Sequence, residues 1–460
     1  MKLKNDNIKF EIIHFHKKRI YFLCGFVCVV VLLVVFIIGR SYARYHVTEF
    51  IPLLNGTINY DLADLNAIAV YIEEGDDYSK SDTIPSNGYI FNQEASYYTV
   101  NGEEDASIIV SYDVNTQSLS VSPLTTQGTK CYLYFDEHIL AKDTILANKT
   151  ISDARSGAIT GTLSTDTTGT IYRVADDDGD SYVFAGAPTD NWVSFAGYYW
   201  RIIRINGDGS IRLIYNGIST ATTGSGTMIS SSQAFNSLYD DNAYVGYMYG
   251  STGASSYAST HTNTNNSSIK TVVDKWYRDN LLQYAQYIST EAGFCGDREM
   301  VSGYSGYGTL GYGSNNTVYA PTSRFLNTSW INLGTQNPTL KCSQSNDLYM
   351  VSGSSKGNHV LTYPIGLITA DEVVLVGGFG GTSNNSYYLY NNANYWTMSP
   401  LSYNAVNGSA IVFLVWSSGS LSSGGSVNWT GSGVRPVINL SVDVTISSGD
   451  GISSNPYVIS

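Results

Sequence analysis

Charge is scarce in this chain: 25 Lys and Arg with 38 Asp and Glu make 14% of 460 residues, where about 25% is usual. Cations are scarcest beyond residue 44, where 17 face 36 acidic groups, a balance of −19 against +6 for the first 44. Nucleic-acid binding needs clustered cations over phosphates, so no nucleic-acid partner is expected. Histidine is rare too: after His46 only His138, His261 and His359 occur. No two lie within helical reach, which excludes a HExxH or paired-His zinc site. The five cysteines show no CxxC and no metal-ligand spacing, so neither a metal nor a cofactor is expected. Wholesale disorder is excluded by 43% apolar and 13% aromatic residues.

Long apolar runs are also lacking, with one exception. Residues 20–39 read IYFLCGFVCVVVLLVVFIIG without a charge, and as a helix they would span roughly 30 Å, the thickness of a bilayer core. Six Lys and Arg precede the run and two follow it, which puts the N-terminus in the cytoplasm and the bulk outside. A cleaved signal peptide is the other reading, but its apolar region usually has only 7–15 residues. The expectation is therefore a basic cytoplasmic tail (1–19), a transmembrane helix (20–39) and a juxtamembrane stretch (40–56). That is a single-pass protein of the plasma membrane with its C-terminal domains outside. Cys24 and Cys28 share one face of that run as small apolar residues. Cys295 and Cys342 could pair with each other in oxidising surroundings, and Cys131 has no evident partner.

From 57 to 136, short runs rich in β-branched and aromatic residues alternate with turn clusters such as Asn101-Gly102-Glu103, the pattern of a small, immunoglobulin-like β-sandwich acting as a spacer. Residues 137–170 are polar and read as a linker. In 171–460 the runs 198–205 and 210–215, joined by Asn206-Gly207-Asp208-Gly209, predict a hairpin. Ile269, Val272, Val273, Trp276, Leu281, Tyr284 and Ile288 follow a 3.6-residue period and predict one helix, with Asp274 and Arg278 paired on its outer side. Thr369-Ala370-Asp371-Glu372 is a capping box that starts a second, ended by Gly377-Gly378. Two helices among many short strands make the expected fold class α+β.

Motifs for chemistry are few. Asp176-Asp177-Asp178-Gly179-Asp180 could offer oxygens to calcium but lacks the full ligand set of an EF-hand, and reads as a solvated turn. Serine is so abundant that any Ser/His/Asp triad could be drawn. The informative stretch runs from 373 to 434, sixty-two residues without Asp, Glu, Lys or Arg. In 384–433 thirty of fifty residues are Asn, Ser, Gly or Tyr, the vocabulary of adaptable recognition surfaces.

Tyr395-Trp396-Thr397-Met398-Ser399-Pro400, with Val434-Arg435-Pro436-Val437 some thirty-five residues on, resembles the ending of C-type-lectin-like domains. Those domains are related to formylglycine-generating enzymes and to retroelement-diversified receptors. Residues 195–215, the predicted helix, Gly293-Phe294-Cys295 and 363–372 resemble surface proteins of gut Firmicutes. The resemblance covers about 171–460 and implies a C-type-lectin-like domain whose loops display a ligand site, with Arg435 structural. The copper-binding cysteine pair of the oxidases is not carried over, since the last cysteine is Cys342. Asn428-Trp429-Thr430 departs from the calcium–sugar motif.

The expected function is a membrane-anchored, non-enzymatic adhesin or receptor for an extracellular glycan or protein. Its candidate contacts are Tyr387, Tyr388, Tyr390, Tyr395, Tyr403, Trp416, Asn428 and Trp429, with Trp200 and Trp396 in the core. A structural envelope protein is one alternative. The other is a glycoside hydrolase, whose carboxylates would come from Asp297, Asp347, Asp371 and Glu372.

Overall fold

The computed structural model describes residues 68–460 except 76, 86–87, 114–117, 123–129, 327–334 and 423. The chain forms two compact units, one ending at His138 and the other running from Ile139 to Ser460.

Among the described residues the first unit has seven strands: β1 (Ile68–Glu74), β2 (Asp77–Ser81), β3 (Tyr89–Val100), β4 (Glu103–Glu104), β5 (Ile109–Asp113), β6 (Ser118–Ser122) and β7 (Lys130–Glu137). Five form a sheet in the order β2-β1-β7-β3-β4, with β1 and β7 parallel, and β5 pairs with β6 in a separate hairpin. Alternation in β7 sorts its side chains by face. Cys131, Leu133 and Phe135 point into a core with Val70, Tyr98 and Val110. Tyr132 and Tyr134 point away and stack on Tyr97 and Tyr71 at 4.7 and 4.9 Å. Burial pushes the Cys131 thiol up to about 12, so it is a packing residue and not a nucleophile.

In the second unit β8 (Thr150–Ser152), β9 (Thr170–Ala175), β10 (Asp180–Val183), β11 (Trp192–Phe195), β12 (Tyr198–Ile205) and β13 (Ile211–Tyr215) build most of a nine-stranded sheet. The β12–β13 hairpin forms as its turn residues require, with Asn206 N–H donating to the Ser210 carbonyl. The register shifts between Ile202 and Arg204, and β12 pairs along its length with β11, β10 and β13. A second sheet is centred on strands Tyr395–Asn404 and Ser409–Val415. Trp200 and Trp396 are fully buried in the core of this unit.

The fold class departs from the α+β expectation. The described residues are β-rich, 37% strand against 14% helix. The periodic run expected as one helix stops at Asn280: Ser268–Asn280 is α-helical, and a 3₁₀ segment, Leu282–Tyr287, follows with Tyr284 outside helical geometry. Asp274 pairs inward with Lys270, and Arg278 with Asp279. The capped helix is only Ala370–Leu375. Among the described residues no helix is long and apolar enough to cross a membrane. The run 20–39, where a transmembrane helix is expected, lies outside them. Among the described residues the fold class is therefore β-rich and not α+β.

Residues 139–170 are not a linker but a strap on the second unit. Helix Ala141–Leu146 receives the Val444 carbonyl at its first N–H, and β8 adds to β9 in parallel. Arg155 is buried, donating to the carbonyls of Val374 and Leu375 at the end of the capped helix. The last carbonyls of a helix lie outside its regular ladder, and Val374 keeps a turn bond from the Gly377 N–H at 3.3 Å, so a guanidinium is well placed beside them.

Candidate functional site

The expected ligand residues divide by burial. Tyr387, Tyr388, Tyr395 and Tyr403 are buried and cannot meet a ligand. Three of them make specific contacts inside: the Tyr395 ring lies 5.1 Å under Arg435, Tyr388 lies 5.0 Å from Arg201, and the Tyr403 hydroxyl donates to the Asp240 carbonyl. Arg435 is itself buried, donating to the Tyr215 and Leu389 carbonyls and to Asn216 Oδ1, so the Val434-Arg435-Pro436-Val437 motif ties loops to the sheet. Tyr390 is half-buried and its hydroxyl donates to Asn392.

Trp416, Asn428 and Trp429 remain at the surface. Trp416 is 38% exposed, and its ring lies 5.5 Å from that of Trp429 at 52°. Trp429 lies across Gly431, where a Cβ would stand 2.3 Å from the indole. Asn394 braces the pair from below: its Nδ2 donates to the Gly431 carbonyl, and its Oδ1 accepts the Ser417 N–H. Two loops are thus tied so that both rings are held in place before any ligand arrives.

A second, charged site was not assembled by sequence reasoning. A cleft of about 90 Å³ is lined by the 176–178 turn, the β12–β13 hairpin, Cys295 and Cys342, and the start of the capped helix. Those two cysteines form a disulfide. Glu372, fully buried, bridges Arg204 and Arg212, and Asp176 holds Arg204 from the other side. Burial opposes the Glu372 charge, yet Arg212 and Arg204 prevail and hold its carboxyl below the usual range. Arg324 binds both Asp371 and Asp297. Residues 177–180 of the acidic run are exposed, as a solvated turn requires, while Asp176 alone is buried and accepts from Ser181 Oγ and from Gly207 N–H. Of the four carboxylates named for a hydrolase, Asp297, Asp371 and Glu372 reach this cleft, and Asp347 is clamped by Arg298 elsewhere. Each is tied to an arginine.

Asp297 is the perturbed member. It is buried in the left-handed region at φ 43°, a conformation Asp and Asn tolerate better than most residues. Burial raises its carboxyl to about 6; Arg324 opposes the rise, while Asp371 and Asp347 add to it. Between pH 4 and 6 the folded chain holds a proton the unfolded chain has lost, so stability falls as pH rises through that window. Asp297→Asn is expected to stabilise the fold at pH 8, by about 3 kcal/mol at most, with the difference vanishing near pH 4. Thermal melts at the two pH values test this. A variant less stable at pH 8 would mean that Arg324 more than offsets the burial of the charge.

Sequence reading also overlooks a GxSxG spacing at Gly353-Ser354-Ser355-Lys356-Gly357. It lies in a surface bend, not a strand-to-helix turn, and the Ser355 hydroxyl donates to Glu291, so it lacks the context of a nucleophile elbow. No family model, curated protein or solved structure matches this chain.

Proposed function

We propose that this chain is a non-catalytic binding protein, displayed outside the cell from the plasma membrane, whose ligand is a neutral glycan. The observation that carries this reading is the braced Trp416–Trp429 pair on a surface without charge. Sugar rings are neutral, with apolar C–H faces and hydroxyl rims. Rigid indoles beside Asn, Ser and Thr offer the matching chemistry at low entropic cost. The Cys295–Cys342 disulfide fits an oxidising compartment, and the motif resemblance to C-type-lectin-like domains points the same way. The arginine pairing of the cleft carboxylates leaves the hydrolase alternative without a free acid–base pair.

The test is a glycan array probed with the full chain, with and without calcium, beside Trp416→Ala and Trp429→Ala variants. Truncating either anchor is expected to cost about 2 kcal/mol, roughly thirtyfold in Kd, with an unchanged circular dichroism spectrum. Silence of the folded wild-type chain across the array would favour a structural envelope role.

A further inference from the structure

The charged cleft has a one-sided inventory of hydrogen-bonding groups. Its arginines are occupied: Arg204 by Asp176 and Glu372, Arg212 by Glu372 and the Gly293 carbonyl, and Arg324 by Asp371 and Asp297. What stays open is an acceptor. Asn206 lines the cleft and is only 7% exposed. Its Nδ2 donates to Ser210 Oγ at 2.8 Å and Asn439 Oδ1 at 3.1 Å, which fixes the amide, while Oδ1 has no partner. A buried acceptor without a donor is costly and needs an explanation. The cleft also carries eight carboxylates against five cations, so the missing donor should be positive.

We propose that this cleft binds a primary alkylammonium group, with Asn206 Oδ1 accepting one of its N–H bonds and the carboxylate excess supplying the charge. An ammonium is a compact three-donor head with no acceptor, which complements a cavity whose arginine donors are already taken. The cavity, about 90 Å³, suits the head and first methylenes of such a chain, and not a whole sugar. The acidic body beyond residue 44 would concentrate cations near the opening. Asp208, two residues along the same hairpin turn, lines the cleft as well and accepts from Ser210 with one oxygen. The site is separate from the Trp416–Trp429 face and does not depend on it.

Isothermal titration of the full chain tests this with cadaverine, a lysine-containing peptide, and 1-butanol as the neutral control. Saturable binding of cadaverine with butanol silent is expected. Removing one charge-assisted hydrogen bond by Asn206→Leu should weaken binding by about tenfold or more, while Asn206→Asp keeps the acceptor and the affinity. A thermal melt of each variant separates lost binding from lost fold. Binding of cadaverine alone identifies a free amine as the source, and binding of the peptide a lysine side chain. Equal binding by Asn206→Leu and wild type, equal binding of butanol, or no amine binding up to about 10 mM would overturn the proposal.

Discussion

Arg298→Ala is expected to destabilise the C-terminal unit by about 3–5 kcal/mol, the usual cost of removing one partner from a buried ion pair. Arg298 and Asp347 are each 1% exposed. The guanidinium donates to Asp347 Oδ1 through Nε and Nη2, to the Met248 carbonyl at 2.9 Å and to Asn263 Oδ1 at 2.8 Å. The Arg298 backbone N–H meets the other Asp347 oxygen. One side chain thus joins four separated stretches of chain. Its loss would strand the Asp347 carboxylate away from water and leave the Met248 carbonyl and Asn263 Oδ1 to share the one Tyr349 hydroxyl. Because domains this size hold only about 5–15 kcal/mol, much of the margin would go. Urea denaturation followed by circular dichroism measures the effect, read from the transition of this unit, since two units need not unfold together. A double variant, Arg298→Met with Asp347→Leu, should be less destabilised than Arg298→Ala, because the cost lies mainly in the stranded charge. A loss under about 1 kcal/mol for Arg298→Ala would refute this account of the network.

The second large effect is expected from the disulfide. Cys295 and Cys342 are 47 residues apart, and opening a loop of that length frees chain entropy worth about 4 kcal/mol. Replacing both by serine should lower the denaturation midpoint of the C-terminal unit accordingly. Reducing the wild-type chain should shift it to the same place, and an unchanged midpoint in both experiments would show that the loop is held without the bond. The neighbouring chain gives this bond local importance. Gly296 lies against the Tyr349 ring, Asp297 binds Arg324 and Arg298 binds Asp347. Of these consecutive residues Cys295 and Asp297 line the charged cleft, while Gly296 and Arg298 anchor the same stretch outside it.

Local rules reached some elements directly. The β12–β13 hairpin and the Thr369 capping box follow from turn and cap chemistry within a few residues. The helix beginning at Ser268 follows from hydrophobic period and an N-cap at Ser267. Its end did not, because the apolar period continues past Asn280 while none of the residues in Leu282–Tyr287 is buried. Periodicity reports which side chains could share a face and not whether a neighbour exists to cover it.

The sequence by itself determined composition, the acidic body, the hairpin and cap signals, and the pool from which an uncharged aromatic surface could be drawn. Only the tertiary structure decided which tyrosines of that pool are core, since a tyrosine beneath a buried arginine and one facing water are spelled alike. It also decided that the polar stretch 139–170 is a strap, because Arg155 becomes an interior residue only when the Val374 and Leu375 carbonyls meet it from 219 and 220 positions away. The cleft has the same origin. Its carboxylates and arginines stand far apart in the chain, and their pairing depends on distances that folding creates and local sequence does not encode.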